Sequence, residues 1–413
     1  MSLNSTHYQV HYYLTDRLPE EGFIILDKNK PEYRVPLMSE IKSIPWNGYN
    51  AISTFSGCGG SCLGYRMAGF RVLWASEFIP TAQQVYKLNH PDSILDTRDI
   101  RKVQPQEILE ATGLAVGELD LLDGSPPCAS FSTAGTRTKS WGEVKAYSDT
   151  KQRVDDLFFE YTRLIEGLQP KVFVAENVRG LVTGKAKGVF KEILAEMKSK
   201  GYRVKAKLLD AKWLGVPQSR SRLIFVGVRN DLNLEPVHPK PLPYLYTLRE
   251  ALPWVAQYMA GGFKNNWQTS DRPYGTVVQR GANTGETAYL SANGFIKVDP
   301  QASMEPYATG AEWEKLKIDG KSKKYFNLIR SHPDKPVLTV TALASIAAGV
   351  AHPYEKRKFY IDELKRICAF PDDFELTGTY SQQWERLGRA VPPVMMAHIA
   401  QAIKDEVLDK LSN

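Results

Sequence analysis

Cysteine is scarce: 4 residues in 413, namely Cys58, Cys62, Cys128 and Cys368. A chain of this length is not held together by a disulfide framework that small, and a reduced, intracellular setting is expected. No CxxC pair and no Cys/His cluster has metal-site spacing, so no metal is expected. Long apolar runs are also missing. No stretch reaches the roughly 18 residues of a spanning helix, and no membrane association is expected. The opening stretch MSLNSTHYQVHYYLTDRLPEEGF has neither a basic start nor an apolar centre, so it does not read as a secretory signal.

What is there is ordinary globular material, 43% hydrophobic and 24% charged. One large domain with a smaller companion is the natural expectation. The net charge of +7 is unevenly spread: residues 171–230 hold 14 Lys and Arg against 4 Asp and Glu. Such a segment is either a solvated surface or a stripe that faces phosphates.

From Ala51 the pattern becomes strand, tight turn, helix: AISTF, SGCGG, SCLGYRMAGF. Strands are predicted in RVLWASE, LDLLDGS, KVFVAEN, YRVKAKLLD and RLIFVGVR. Helices are predicted in TAQQVYKLNH, RVDDLFFEYTRLIEGLQP and VFKEILAEMKSKG. This alternation implies an α/β fold, a doubly wound and mostly parallel sheet. After Asn230 the texture changes. Four prolines punctuate EPVHPKPLPY, and residues from about 244 to 335 are rich in Gly, Asn, Thr and aromatics. A smaller irregular domain is expected there. The apolar face of VPPVMMAHIAQAIKDEVLDKLS predicts a helix that returns to the first domain.

Several residues stand out for chemistry. Gly57 and Gly59 sit in a strand-to-helix turn, where glycine lets a ligand approach the backbone. Glu77 follows 20 residues after Gly57 and could accept hydrogen bonds from ribose hydroxyls. The pair indicates a nucleoside-containing cofactor, although such a turn alone is often only a tight turn. Asp99 reads equally as an adenine contact or a helix cap. Cys128 follows two prolines at a strand end, so it is either an aimed nucleophile or a small buried hydrophobe. Glu176 interrupts an apolar strand, which is costly unless the carboxylate works or is paired; a cap for the following segment is the alternative. Arg220 and Arg222 share one strand face and could hold an anion, or sit on a solvated edge.

Taken in order, these pieces resemble the DNA cytosine carbon-5 methyltransferases, which use S-adenosylmethionine. FSGCGGSCLG resembles that family's cofactor loop, GSPPCASFS its Pro-Cys motif, ENV its glutamate motif, QSRSR its Gln-x-Arg-x-Arg motif, and LGRAVPP its closing motif. RKFYIDELKRICAFPDDF is similar to the stretch that precedes the last motif. The resemblance covers about residues 48–230 and 335–405. This sequence departs from the family at Ala129, where Gln is usual, at Arg389, where Asn is usual, and at Tyr360, where Thr is usual.

The resemblance implies catalytic roles for Cys128, Glu176, Arg220 and Arg222. It implies a cofactor pocket of Phe55, Ser56, Gly57, Cys58, Gly59, Gly60, Glu77, Phe78, Asp99, Ile100, Ser125, Pro127, Leu157, Arg389, Ala390 and Val391. Ser132, Arg137, Gln218, Arg272 and Arg280 are expected at the DNA. Residues 46–235 would form the first part of the catalytic domain, 236–380 a small domain with the target-recognition region at about 244–335, and 381–413 the returning helix. Residues 1–45 fall outside the resemblance. Double-stranded DNA is the expected substrate, restriction or phage-defence proteins are candidate partners, and a cytoplasmic monomer is expected. An RNA-directed relative would carry a Cys-Phe-Thr motif, but Ala129 follows Cys128. A silent DNA-binding homologue would lack Cys128, Glu176 or Arg222. A nicotinamide-linked dehydrogenase would leave these residues unexplained.

Overall fold

The structure is a computed structural model that describes residues 29–127, 145–147, 150–152, 156–182, 187–255, 296–325, 328–342 and 349–411. Its first strands are β1 (Asn50–Thr54), β2 (Arg71–Ser76), β3 (Ile94–Asp96) and β4 (Leu121–Gly124). A short hairpin follows, β5 (Lys145–Tyr147) with β6 (Thr150–Gln152). Then come β7 (Val172–Val178), β8 (Tyr202–Asp210), β9 (Gln218–Ser219) and β10 (Ser221–Arg229). The last strands are short: β11 (Ile329–Arg330), β12 (Val337–Leu338) and β13 (Val350–Ala351).

Seven of these strands make one sheet, ordered β3-β2-β1-β4-β7-β10-β8. All neighbours are parallel except β10, which inserts antiparallel between β7 and β8. The strand alternation of the sequence becomes two cores. Ala51, Val72, Leu121, Val172, Val174 and Ile224 face one way. Ile52, Trp74, Leu122, Phe173, Ala175 and Phe225 face the other. This is the period-2 pattern of a sheet covered on both sides.

The helices are α1 (Met38–Ser43), α2 (Gly60–Met67), α3 (Pro80–Asn89), α4 (Pro105–Thr112), α5 (Leu157–Leu168), α6 (Lys187–Ser199) and α7 (Leu248–Ala251). They continue with α8 (Ala308–Lys315), α9 (Ile361–Ile367), α10 (Tyr380–Arg389) and α11 (Pro393–Ile403). Helices α4, α5 and α6 cover the Phe173 face through Ile108, Tyr161 and Ile193. Helices α2 and α11 cover the other face through Cys62, Tyr65, Met395 and Ile399. The C-terminal helix therefore does return to the first sheet. A third core links α2 and α3, through Leu63 and Val85, to Leu248, Leu364 and Trp384 of the later helices. The segment before residue 45 is tied down as well: Tyr33 OH donates to Arg366 O at 2.6 Å. Among the described residues no helix is long and apolar enough to cross a membrane.

Candidate active site

The turn after β1 brings backbone to the sheet's carboxyl edge. Phe55, Gly57 and Gly59 all take left-handed φ values, +54°, +58° and +88°. Glycine accepts this freely; for Phe55 it costs about 1–2 kcal/mol. Ser56 N donates to Ser76 O at 2.9 Å, which ties the turn to β2. Glu77 fixes it further. One carboxylate oxygen accepts from Gly57 N and the other from Ile79 N, each at 2.7 Å. Burial raises the Glu77 carboxyl above its ordinary range, and these amides oppose that shift. The Phe78 amide opposes it too, and a carboxylate, with about four lone-pair sites, can still take a further donor.

The turn, the strand ends and the close of α10 surround a cavity of about 580 Å³. Ligand pockets commonly span about 300–1,000 Å³. Phe55, Ser56, Gly57, Cys58 and Gly60 line it from the turn, Glu77 and Phe78 from beyond β2, Asp99 and Ile100 from beyond β3. Ser125 and Pro127 line it after β4, Leu157 from α5, Arg389 from the last residue of α10, and Ala390 and Val391 just beyond it. Gly59 lies behind this wall: a Cβ there would sit 2.1 Å from His90 Nε2. Gly59 thus packs tightly against His90. A Cβ on Gly60 would lie 2.5 Å from Val391 O, so the closing motif seats directly on the start of α2. Asp99 caps the next turn, accepting from Arg101 N at 3.0 Å, and also lines the cavity.

Glu176 and Arg222 enter the same cavity from β7 and β10. The antiparallel register sets Ile224 opposite Glu176 and Arg222 opposite Val178. Arg222 is thus a diagonal neighbour of Glu176 on one face, and its Nε lies 2.6 Å from Glu176 Oε1. Asn177 donates to Pro126 O at 3.4 Å, linking the end of β7 to the Pro-Pro turn. Asp210 braces the turn into β10, accepting from Arg220 N at 2.9 Å and from Ser219 and Ser221 hydroxyls at 3.3 and 3.2 Å.

One expectation changes here. Gln218, expected at the DNA, is fully buried. Its amide donates to Cys368 Sγ at 3.2 Å, and its carbonyl oxygen accepts from Val340 N at 3.3 Å. It has no surface to offer a groove. Arg220, expected as a catalytic group, lines the cavity, and its two terminal nitrogens donate to Val340 O at 2.9 Å and Gly388 O at 2.8 Å. It brackets two segments of the cavity wall. Sequence reasoning also missed Thr339, Val340, Thr341, Ala342 and Arg386, which line the cavity from the irregular region and α10.

Cys58, Cys62 and Cys368 are buried, and burial pushes their thiols up to about 12, 11 and 11. Such thiols stay protonated and are poor nucleophiles. Cys128, Ser132, Arg137, Arg272 and Arg280 lie outside the described residues.

Residues 49–405 match the pattern that defines the C-5 cytosine-specific DNA methylases. The chain is 31% identical over 384 residues to the Type II methyltransferase M.DdeI of Desulfomicrobium norvegicum, covering 86% of this chain and 88% of that protein. It is 31% identical over 353 residues to M1.HphI of Haemophilus parahaemolyticus, covering 85% and 86%. Among solved structures, Spodoptera frugiperda DNMT2 superposes with a TM-score of 0.56 at 17% identity, covering 89% of this chain and all of that one. The chain belongs to the C-5 cytosine-specific DNA methylase family and is a DNA cytosine methyltransferase.

Proposed function

We propose that the chain methylates carbon 5 of cytosine within a specific double-stranded DNA sequence, through a covalent Cys128 adduct on an extruded base. The observation that carries this reading is the Glu176–Arg222 pair, which shares one cavity with the glycine turn and Glu77.

S-adenosylmethionine fits the residues present. Glu77 offers spare lone pairs in a buried setting suited to ribose hydroxyls, and glycine backbone lines the wall beside it. When bound, that group supplies an electrophilic methyl. Phe78, Asp99, Ile100 and Leu157 would hold its nucleoside end, and the turn and Arg389–Val391 its other end.

The base edge of the cavity supports the rest. Cytosine carbon 5 is a weak nucleophile until a thiolate adds to carbon 6. Cys128 follows β4 directly through the Pro-Pro turn, which Asn177 helps to hold. Glu176 would hold a proton at ring nitrogen 3 as charge develops, and Arg222 would orient Glu176 and the base carbonyl. Loss of the carbon-5 proton then expels the Cys128 sulfur. A base inside a duplex cannot reach such a cavity, so extrusion is required. Arg272 and Arg280 in the region of about 244–335 are the proposed base readers, with Ser132 and Arg137 beside the extruded base. Replacing Arg272 or Arg280 should alter which sites are methylated, as bisulfite sequencing of host DNA would report. The Type II relatives support a modification role beside a restriction enzyme.

The decisive experiment uses duplex DNA with 5-fluorocytosine at the target, because fluorine cannot leave as a proton does. A stable adduct should form with the native chain and with Cys368→Ala, and should vanish with Cys128→Ala. An adduct that survives loss of Cys128 refutes the assignment, and methyl label found only on RNA or adenine refutes the whole reading.

A further inference from the structure

Asp123 is a carboxyl that the chemistry above does not use. It is 1% exposed, on β4, one residue before the strand's end. The parallel register sets it opposite Ser53 of β1 and Val174 of β7. Glu176 therefore lies two residues further along the same face. A carboxyl in an apolar core is costly unless it is held. Ser53 Oγ donates to one oxygen at 2.8 Å and Tyr65 OH to the other at 3.0 Å. Among the described residues no cation pairs with it.

The Ser53 contact leads to the cavity. Ser56 Oγ donates its one hydrogen toward Ser53 Oγ at 3.0 Å, with Ser53 O at 3.1 Å as the neighbouring acceptor. Ser56 belongs to the glycine turn and lines the cavity wall. A hydrogen-bonded chain thus runs from the Asp123 carboxyl through Ser53 to the turn. A second contact, Thr54 Oγ1 to Asp123 O at 3.1 Å, locks the two strands together at the same level. Tyr65 ties the carboxyl to α2, the helix that the turn opens.

We propose that Asp123 is a positioning residue for the cofactor, its carboxylate holding Ser53, and through it Ser56 and the glycine turn, in the binding geometry. It rests on reading the cavity as the cofactor site. The carboxylate accepts from both hydroxyls. Once protonated it must donate one bond, so a hydroxyl has to turn round and the chain to Ser56 is rewired. The ionised form also places a buried negative charge behind the site of a cationic ligand, and low dielectric strengthens that attraction.

The groups that face Asp123 set where the change occurs. Burial is the main influence and raises its carboxyl to about 7; Ser53 and Tyr65 lower it, and the nearby Glu176 raises it. Tyr65 and Cys62 on α2 and Tyr161 on α5 complete its titratable surroundings. Burial holds all three neutral. Asp123 thus changes charge in the neutral range, and cofactor affinity should be highest on the alkaline side.

The test is calorimetric binding of S-adenosylmethionine to the full chain from pH 6 to 8.5, beside steady-state methylation. In the native chain the dissociation constant should rise below pH 7, by at most about tenfold per pH unit for one linked proton. Asp123→Asn should flatten that profile and raise the cofactor KM while kcat at saturation stays within about twofold. Ser53→Ala, which breaks the chain and also removes a donor that lowers the carboxyl, should raise KM likewise and move the break to higher pH. Tyr65→Phe removes a donor that lowers the carboxyl and should move the break to higher pH. If Asp123→Asn fails to fold, the Ser53→Ala and Tyr65→Phe results decide alone. An unchanged pH profile in all three variants, or a loss of kcat with KM unmoved, overturns the proposal. A native chain that binds no S-adenosyl compound at any pH overturns this proposal and the function it rests on together.

Discussion

Glu176 and Arg222 hold each other at 2.6 Å within the cavity, so each can be changed while the other reports on it. Glu176→Gln keeps the shape but cannot hold the ring proton. It should lower kcat by about 10²–10⁴-fold, the range for a general acid or base. Cofactor affinity, measured by calorimetry at pH 8.5 where Asp123 is ionised with or without Glu176, should be unchanged, because Glu77 and the turn are untouched. Arg222→Lys replaces a planar fork by a point charge and should cost about 10²-fold in kcat. A Glu176→Gln enzyme with native kcat would remove the pair from the chemistry. Glu176 was legible in the sequence because a carboxylate breaks an otherwise apolar strand. Gln218 was misread for the opposite reason. Its motif fixes spacing but not burial, and the segment that covers it, at Val337–Val340, comes from a distant irregular region.

At the scale of elements, alternation and turn residues made most strands readable. They could not show direction, so the antiparallel insertion of β10 beside β7 was not foreseen, yet that register brings Arg222 to Glu176. The cavity wall at Thr339–Ala342 was also missed, since a short irregular segment has no period to read. The seating of α11 on α2 was legible in part, from the apolar face of the last helix. Its tightness was not. Gly64 of α2 faces α11 so closely that a Cβ would lie 2.6 Å from both Met396 Cβ and Pro393 O. Gly64→Ala should push the helices apart and cost about 1–3 kcal/mol, as overpacking does. Urea denaturation would measure this. Stability equal to the native chain would mean that the two helices yield freely, and that the closing motif is not seated by this contact.

Charge is decided only at the scale of the whole molecule. The basic segment 171–230 looked like one stripe in sequence, but the sheet divides it. Lys171 precedes β7 and Arg229 ends the antiparallel β10, so both lie at the edge opposite the cavity. Several of its cations are already paired. Lys171 meets Asp120 at 2.7 Å, Lys200 meets Glu166 at 2.8 Å, Lys205 meets Glu235 at 2.9 Å and Arg229 meets Asp231 at 2.8 Å. Cations already paired in this way neutralise few phosphates and so release few of the counterions condensed on DNA. In the sequence Lys185 follows the cavity-side end of β7 and Lys187 opens α6; Lys185 and the Lys187 side chain lie outside the described residues. Each phosphate contact contributes roughly 0.9 to the slope of log K against log salt. Replacing Lys185 and Lys187 by Gln should therefore lower that slope by about 1 to 2 without changing the methylated sequence. Replacing Lys171 and Lys200 should leave the slope where it was. Filter binding to a fixed duplex across a salt series would decide, and a slope that falls with Lys171 but not with Lys185 would put the DNA on the other edge of the sheet, away from Glu176 and Arg222.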